Sequence, residues 1–126
     1  MIDSLEMIYD KLMQNAFIVE NCKGRIKFYS YPETADVKKP FIIIDPLDVS
    51  SPQVYASDDS HYEKHLVQIN VESLNRKLTK QIQSEVRKAM KELGFKQLES
   101  GLDEYFETTK RYVDARRYEA LLKNEE

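Results

Sequence analysis

Two aspartates and two histidines lie close together near the middle of the chain, and these residue types could hold a metal ion. They are Asp58, Asp59, His61 and His65. A spacing of four residues brings two ligands together on a helix, but the residues after His61 alternate as in a strand, where four residues span about 13 Å. We therefore predict a solvated loop and one strand-facing histidine, with no metal and no cofactor. A metal-dependent hydrolase built on this set is the alternative.

Other residues that could act in catalysis occur without partners that would activate them. Cys22 is the only cysteine, and no base is recognisable beside it, so it is interpreted as a buried core residue. The stretch LESGLDEYFE carries Glu99, Asp103, Glu104 and Glu107, which is more typical of a solvated turn than of a paired-carboxylate site. The sequence has no glycine-rich phosphate loop and no nucleophile elbow. We predict that the protein is not an enzyme.

Four basic residues lie along one side of a predicted helix, opposite its leucine stripe. We call them the basic face: Arg76, Lys80, Arg87 and Lys91. Such a face could meet DNA or an acidic partner, but Glu85 and Glu92 lie beside it, as on an ordinary exposed helix. The formal net charge of -3 also lacks the basic excess of a protein that holds phosphate backbones. A solvated helix face is favoured.

The stretch TTKRYVDARRYEALL interleaves tyrosines with arginines, which are enriched at buried protein interfaces. As a strand it places four side chains on one face: Tyr112, Asp114, Arg116 and Tyr118. Arg111 and Arg117 alternate with apolar residues on the other face, so neither face is a clean core face. Such a strand suits the edge of a sheet, either covered by another subunit or kept soluble by its arginines.

Hydrophobic periodicity predicts the elements that must position these residues. A first helix spans about 2–16, and a second runs from Leu74 to Leu93 with Ser73 as its cap. Strands are predicted at about 26–31, 41–44, 62–72, 95–100 and 109–119, with a turn at Gly101. The stretch 102–122 also fits a helical stripe, and a strand is favoured because it is rich in aromatic residues.

This order of elements predicts an α+β fold, with two helices packed on a mixed or antiparallel sheet of four to five strands. We expect a single domain over 1–126, a long loop at about 45–61 and a frayed C-terminus after 120. The first residues lack the apolar run of a signal peptide, and no stretch approaches the roughly 20 apolar residues of a membrane span. Together with the lone cysteine, this composition indicates a cytoplasmic protein.

Four stretches together resemble a family of small tail-component or head-tail joining proteins of long, non-contractile-tailed phages and prophages of Gram-positive bacteria. They are PFIIIDPL, YASDDSHYEKHLVQINVES, VRKAMKELGF and GLDEYFETTKRYVDARRYEALL. The resemblance covers nearly the whole chain and rests on structural residues. It implies a tail terminator: an α+β subunit that closes into a ring, commonly a hexamer, on the last layer of the tail tube and joins it to the head.

The resemblance also implies partners and a location. The partners are further copies of the chain, the tail-tube protein, head-connector proteins, and DNA that passes through the ring without sequence-specific binding; no membrane is involved. The protein is expected in the virion, and in the host cytoplasm during assembly. The loop Asp48–Ser60 would reach a neighbour, which adds three residues to the interface of Tyr112, Asp114, Arg116 and Tyr118. They are Tyr55, Asp58 and Asp59.

Two further roles remain open from the sequence. A head-closure or adaptor protein of the connector would bind the portal side, and a small DNA-binding regulator would use the basic face with strongly salt-dependent affinity. A ring needs two unlike surfaces on each subunit, which the basic face and the acidic loop could supply. Charge reversal at Arg76 and Arg87 is therefore expected to weaken assembly.

Overall fold

The described part of the chain folds into three helices and a mixed sheet, which confirms the α+β class but adds one helix to the two predicted. The structure is a computed structural model that describes residues 2–33, 36–48, 51–54 and 61–124. The elements are α1 (Ser4–Leu12), α2 (Ala16–Cys22), β1 (Ile26–Phe28), β2 (Phe41–Pro46), β3 (Ser51–Val54), β4 (His61–Ser73), α3 (Arg76–Glu92), β5 (Lys96–Phe106) and β6 (Arg111–Asn124).

The sheet has the strand order β1-β2-β4-β6-β5, and β3 lies beside the first residues of β4. β1 runs parallel to β2, and every other neighbouring pair is antiparallel. β4 and β6 pair from His61 with Asn124 to Ser73 with Tyr112. These two long strands form the centre of the sheet.

Asn15 separates α1 from α2, a helix that hydrophobic periodicity did not predict. Its side-chain oxygen accepts a hydrogen bond from the backbone N–H of Ile18 at 3.0 Å and begins α2. Asp3 caps α1 in the same way, through the N–H of Glu6 at 3.1 Å. An asparagine favours a helix start over a helix interior because its side chain competes for backbone donors. The structure therefore confirms a helix within the predicted 2–16, but this helix ends at Leu12, and α2 was not predicted.

The start of α3 also differs from the prediction. Asn75 caps the helix by accepting from the N–H of Leu78 at 2.9 Å. Ser73, the predicted cap, donates to the carbonyl of Asn75 at 2.8 Å and contacts the hydroxyl of Thr79 at 2.5 Å. Leu74, assigned to the apolar stripe, precedes the helix and is exposed. The rest of that stripe faces the core as predicted, with Ile82, Val86, Ala89 and Met90 buried.

The three helices cover one face of the sheet, where the main core lies. Alternate residues of β4 point into it: Val67, Ile69 and Val71 are buried, as the alternation predicts, and His65 shares their face. They meet Ile42 and Ile44 of β2 and side chains from each helix, including Ile8, Leu12, Ile18, Ile82 and Met90. The period of two in the strands and the stripe in α3 explain this burial.

Among the described residues, those that cover the opposite face, which we call the open face, lie at one end, in the connection between β1 and β2. Arg111 holds the described part of this connection by donating to the backbone carbonyls of Val37 and Lys39. Its guanidinium lies 4.5 Å from the centre of the Phe41 ring, and Tyr31 stacks on that ring at 3.8 Å. Arg111 is consequently a buried anchor, not a solubilising surface residue.

The last two strands decide between helix and strand for the stretch 102–122. The strand alternative for 109–119 is confirmed, and β6 continues beyond the predicted fraying point at 120 to Asn124. The predicted turn at Gly101 is wrong, because β5 runs through it to Phe106. The chain reverses at residues 107–110, where Lys110 has a positive φ of 60°. An irregularity in the β5–β6 register between Gln97 and Gly101 accommodates the glycine inside the strand.

The predicted loop at 45–61 contains ordered structure. β2 extends through Asp45 to Pro46, and Ser51–Val54 forms β3 against β4. Pro52 is tolerated because β3, within the described part of the chain, pairs on one side only, and a proline at a sheet edge removes no ladder bond. The predicted long loop therefore does not extend over the whole of 45–61, because strand residues occupy part of it.

Candidate functional site

The strand that carries the tyrosine and arginine residues lies inside the sheet. β6 is flanked by β4 on one side and β5 on the other, so the interpretation of it as an edge strand is wrong. Tyr112, Asp114, Arg116 and Tyr118 do share one face, as predicted, and it is the face that the helices cover. In this position Asp114 and Tyr118 are buried, and Tyr112 and Arg116 are half-buried.

Tyr118 belongs to the core and not to a surface. Its side chain is 1% exposed and packs with Val67, its partner in the β4–β6 register. Burial raises the pKa of its hydroxyl to about 12, and the hydroxyl has no hydrogen-bond partner among the described residues. The sequence assigned Tyr118 to an interface because tyrosine suits both environments.

Asp114 is the centre of a charged cluster that joins α3 to β6 and β5. Its carboxylate accepts from Lys80 at 2.6 Å and from Arg116 at 3.0 Å, and Lys80 also lies 2.6 Å from Asp103. Burial opposes ionisation of Asp114, but the hydrogen bonds from Lys80 and Arg116 outweigh it and hold its pKa below the ordinary value. The cluster therefore acts as a structural clamp.

Gln83 strengthens this clamp from the middle of α3. Its side-chain amide donates to the backbone carbonyls of Asp114 at 2.8 Å and Ile69 at 3.1 Å. A buried glutamine in an apolar helix face satisfies carbonyl oxygens on two neighbouring strands. The sequence reasoning missed it, because a polar residue in an otherwise apolar stripe was the only signal.

The basic face is only partly free. Lys80 is bound to two carboxylates, whereas Arg76, Arg87 and Lys91 are exposed. Glu85 accepts from Lys88 at 2.9 Å and from the Asn15 amide at 3.2 Å, which fits the expected solvated helix. The face therefore offers three cations instead of four to a partner.

The loop residues proposed for the interface, Tyr55, Asp58 and Asp59, lie outside the described residues. Of the two histidines, His65 faces the core side of β4, and its Nε2 lies 3.0 Å from the carboxylate of Glu63. Within 2–33, 36–48, 51–54 and 61–124, no three acidic, histidine or cysteine side chains are grouped so that they could hold a metal ion.

Cys22 ends α2 with its thiol inside the core, as the sequence predicts. Burial raises the pKa of that thiol to about 12, although the nearby charge of Arg25 opposes the shift. A thiol with this pKa is protonated at neutral pH and is a poor nucleophile. The residue contributes packing.

Among the strands whose burial is described, β5 is the most exposed, and we call its unpaired side the β5 edge. In the described chain β5 pairs only with β6, so the backbone groups on its other side are unpaired. Leu102, Tyr105 and Phe106 are 41%, 44% and 39% exposed. Tyr105 contacts Tyr112 with ring centres 4.7 Å apart. An edge strand with exposed apolar side chains is a common site of pairing with another chain.

Sequence reasoning missed the β5 edge because the apolar residues of GLDEYF do not alternate. Leu102 and Phe106 lie on the open face and Tyr105 on the helix face, while acidic residues separate them. This pattern is typical of a turn or an irregular helix as much as of a strand. The signal that could have identified the strand is the aromatic content at its end.

A shallow groove of about 640 Å³ lies between α3 and β5. Its charged lining balances three basic residues against three acidic ones: Lys80, Arg87, Arg116, Glu99, Asp103 and Asp114. Most of these side chains belong to the clamp at Asp114. The groove is therefore a consequence of the clamp, and the β5 edge remains the better candidate for contact with a partner.

Two further findings concern relatives and membranes. No protein-family model and no curated protein matches the sequence. None of the helices in the described part of the chain is both long and apolar enough to cross a lipid bilayer.

A comparison with solved structures finds a similar fold in a chain from the virion of a native gene transfer agent particle. The two chains superpose with a TM-score of 0.65, and the match covers 93% of this chain and 92% of the other. Sequence identity is 12%. The likeness therefore concerns the fold, and it extends over nearly all of both chains.

Proposed function

We propose that the protein is a structural subunit of a phage-like virion. The observation that carries this proposal is the similarity of its whole fold to a chain of a gene transfer agent virion. The match covers 93% of this chain and 92% of the other, which supports a shared architecture. Assembly with other virion proteins and residence in the virion follow from this proposal.

Within that class we propose the role of tail terminator. A ring of this chain, six copies in the virion, would cap the last layer of tail-tube protein and present its other side to the head connector. DNA would pass through the ring without sequence-specific contact. Two surfaces support this role: the unpaired β5 edge, which suits a subunit contact, and the polar part of the open face, which suits a DNA passage.

We propose further that the chain has no enzymatic activity and no cofactor. The sequence has no glycine-rich phosphate loop and no nucleophile elbow, and the buried charged cluster of Lys80, Asp114 and Arg116 is paired internally in the described structure. The same pairing argues against the DNA-binding regulator, because the basic face loses Lys80 to this cluster. A head-closure or adaptor role shares the same fold evidence and differs only in the partner.

Capping of tail tubes tests the terminator role. Tail-tube protein from the same phage or prophage is polymerised with and without this protein, and tube lengths are measured by negative-stain electron microscopy. We expect shorter tubes, with a ring at one end, as the amount of this protein increases. A matched control uses the same protein after heat denaturation.

Unchanged tube lengths and bare tube ends would contradict the terminator role. If the protein binds purified head-connector rings instead, the head-closure role is the correct one. A steep loss of DNA binding with salt, at affinities above non-specific binding, would favour the regulator.

A further inference from the structure

We propose that the β5 edge of one copy pairs with the outer edge of β1 in the next copy, so that the sheet continues from subunit to subunit. The occupant of the β5 edge is thus a second copy of this chain. This inference rests on the ring of the proposed function and specifies how its subunits join. β1 and β5 are the two ends of the strand order in the sheet.

Strand direction fits this arrangement. β1 and β2 are parallel, and the steps from β2 to β4, β4 to β6 and β6 to β5 are all antiparallel, so β1 and β5 run in opposite directions. In a ring whose axis follows the strands, every copy has the same polarity. The two edges would therefore meet as antiparallel strands, which pair slightly more favourably than parallel ones.

Charge favours the pairing of unlike edges. β5 carries three acidic residues, Glu99, Asp103 and Glu104, against Lys96. The chain leading into and through β1, residues 23–28, carries Lys23, Arg25 and Lys27 and no acidic residue. Two β5 edges would bring like charges together, whereas β5 against β1 brings opposite charges together. The contact is therefore head-to-tail, as a closed ring requires.

Exposed apolar side chains lie at both edges. Leu102 and Phe106 of β5 point to the open face. Lys27 of β1 points to the same face, because it is paired with Ile43 of β2, which lies there. Tyr29, directly after β1, is 65% exposed. Pairing of the two edges would cover part of this exposed apolar surface.

The dimensions suit a passage for DNA. Six copies of the five-strand path, at about 4.8 Å between strands, form a cylinder about 46 Å across, wider than a double helix. The helices fit on the outside, where there is more room, so the open face lines the passage. There Arg117 donates to Gln68 at 3.0 Å and Gln68 donates to Asn70 at 2.9 Å, which makes the lining polar.

Carbodiimide cross-linking tests the contact directly, because it joins a lysine amine to a carboxylate only when the two touch. Unlabelled and nitrogen-15-labelled protein are mixed, cross-linked at high concentration and again on polymerised tail tubes, and analysed by mass spectrometry. We expect links between chains that join Lys23 or Lys27 to Glu99, Asp103 or Glu104. Absence of such links under both conditions, or links that join these acids to lysines elsewhere on the partner, would overturn the proposal.

Paired charge reversals add a functional readout. Lys23→Glu with Lys27→Glu, and Glu99→Lys with Glu104→Lys, are each expected to weaken self-association about tenfold, since each removes several exposed charge pairs. An equal mixture of the two variants restores association, because unlike edges then alternate around the ring. Sedimentation velocity, or occupancy of tube ends where rings close only there, measures the effect.

Arg76→Glu with Lys77→Glu serves as the matched control, because it reverses two exposed charges at the start of α3, on residues that do not line the groove beside β5. Loss of association in this variant with no loss in the edge variants would overturn the proposal in favour of the basic face. Normal capping of tubes by the edge variants would likewise overturn it and leave the terminator role intact. Rings that need both edges but ignore tail tubes would support the edge contact and contradict the terminator role.

Discussion

Asp114 shows how a charged residue can be central to a fold without any catalytic task. It lies on the helix-covered face of β6, and its carboxylate receives Lys80 of α3 and Arg116 of its own strand. Lys80 also forms an ion pair with Asp103 of β5. Three elements are thus joined at one point, and removal of Asp114 would leave two cations without their shared partner.

Asp114→Asn is expected to lower the free energy of unfolding at pH 7 by about 2 kcal/mol, because hydrogen bonds to a charged group are lost. The pKa of Asp114 is lower in the folded chain than its ordinary value of 3.8. The stabilisation is therefore fully present above pH 3.8 and is lost as the pH falls through the folded pKa. Urea unfolding at several pH values measures the difference between the two proteins.

Asp103→Asn is the matched control, since Asp103 binds the same lysine but is largely exposed. Its effect should be well under that of Asp114→Asn at every pH, as for other exposed pairs. An equal effect of the two substitutions, or a difference between wild type and Asp114→Asn that grows in acid, would contradict the clamp.

The sequence could predict which of these residues share a face but not what they touch. The alternation from Tyr112 to Tyr118 is correct, yet the partner of Arg111 is a backbone segment more than 70 residues away in the chain. Tyrosine and arginine suit interfaces and interiors alike. Which of the two environments a residue has depends on the strands and helices that lie beside its strand. The periodicity of a single sequence does not show which elements these are.

At the scale of elements, the weakest predictions concern the places where one polar residue or glycine redirects the chain. Strand β4 and helix α3 were predicted closely because their apolar residues repeat with a clear period over many residues. Asn15 and Gly101 were misread because a cap and a strand irregularity depend on backbone geometry. The β5 edge was missed because the apolar residues of GLDEYF do not alternate.

Gly101 is expected to be essential for the pairing of β5 with β6. A side-chain Cβ at this position would lie 2.4 Å from the carbonyl oxygen of Ala115, closer than such atoms approach. Gly101→Ala should therefore destabilise the protein by about 1–3 kcal/mol and loosen β5 first. Amide hydrogen exchange should show faster exchange in β5 than in the β4–β6 pair.

Ser100→Ala, at the neighbouring position, is the control for that substitution. It changes an exposed side chain and should leave both stability and exchange close to those of the wild type. Exchange in β5 that is equally slow in Gly101→Ala and in the wild type would show that the strand does not need a glycine there.

At the scale of the whole molecule, the layers were predictable and the assembly surfaces were not. Helices on one face of a mixed sheet follow from the order and periodicity of the elements. The acidic β5 edge and the basic β1 edge emerge only when the strand order is known, because β1 and β5 are separated by most of the chain. In this order β1 and β5 are the two edges of the sheet, and the subunit therefore has two unlike edges.

Loss of the protein from a phage or prophage that encodes it tests the central claim most directly. The coding sequence is deleted, particles are induced, and heads, tails and joined virions are counted by electron microscopy, with the intact sequence supplied in trans as the control. The account predicts filled heads, separate tails of abnormal and mostly excessive length, and few joined particles, all corrected by complementation. Joined virions with tails of normal length in the deletion strain would contradict it.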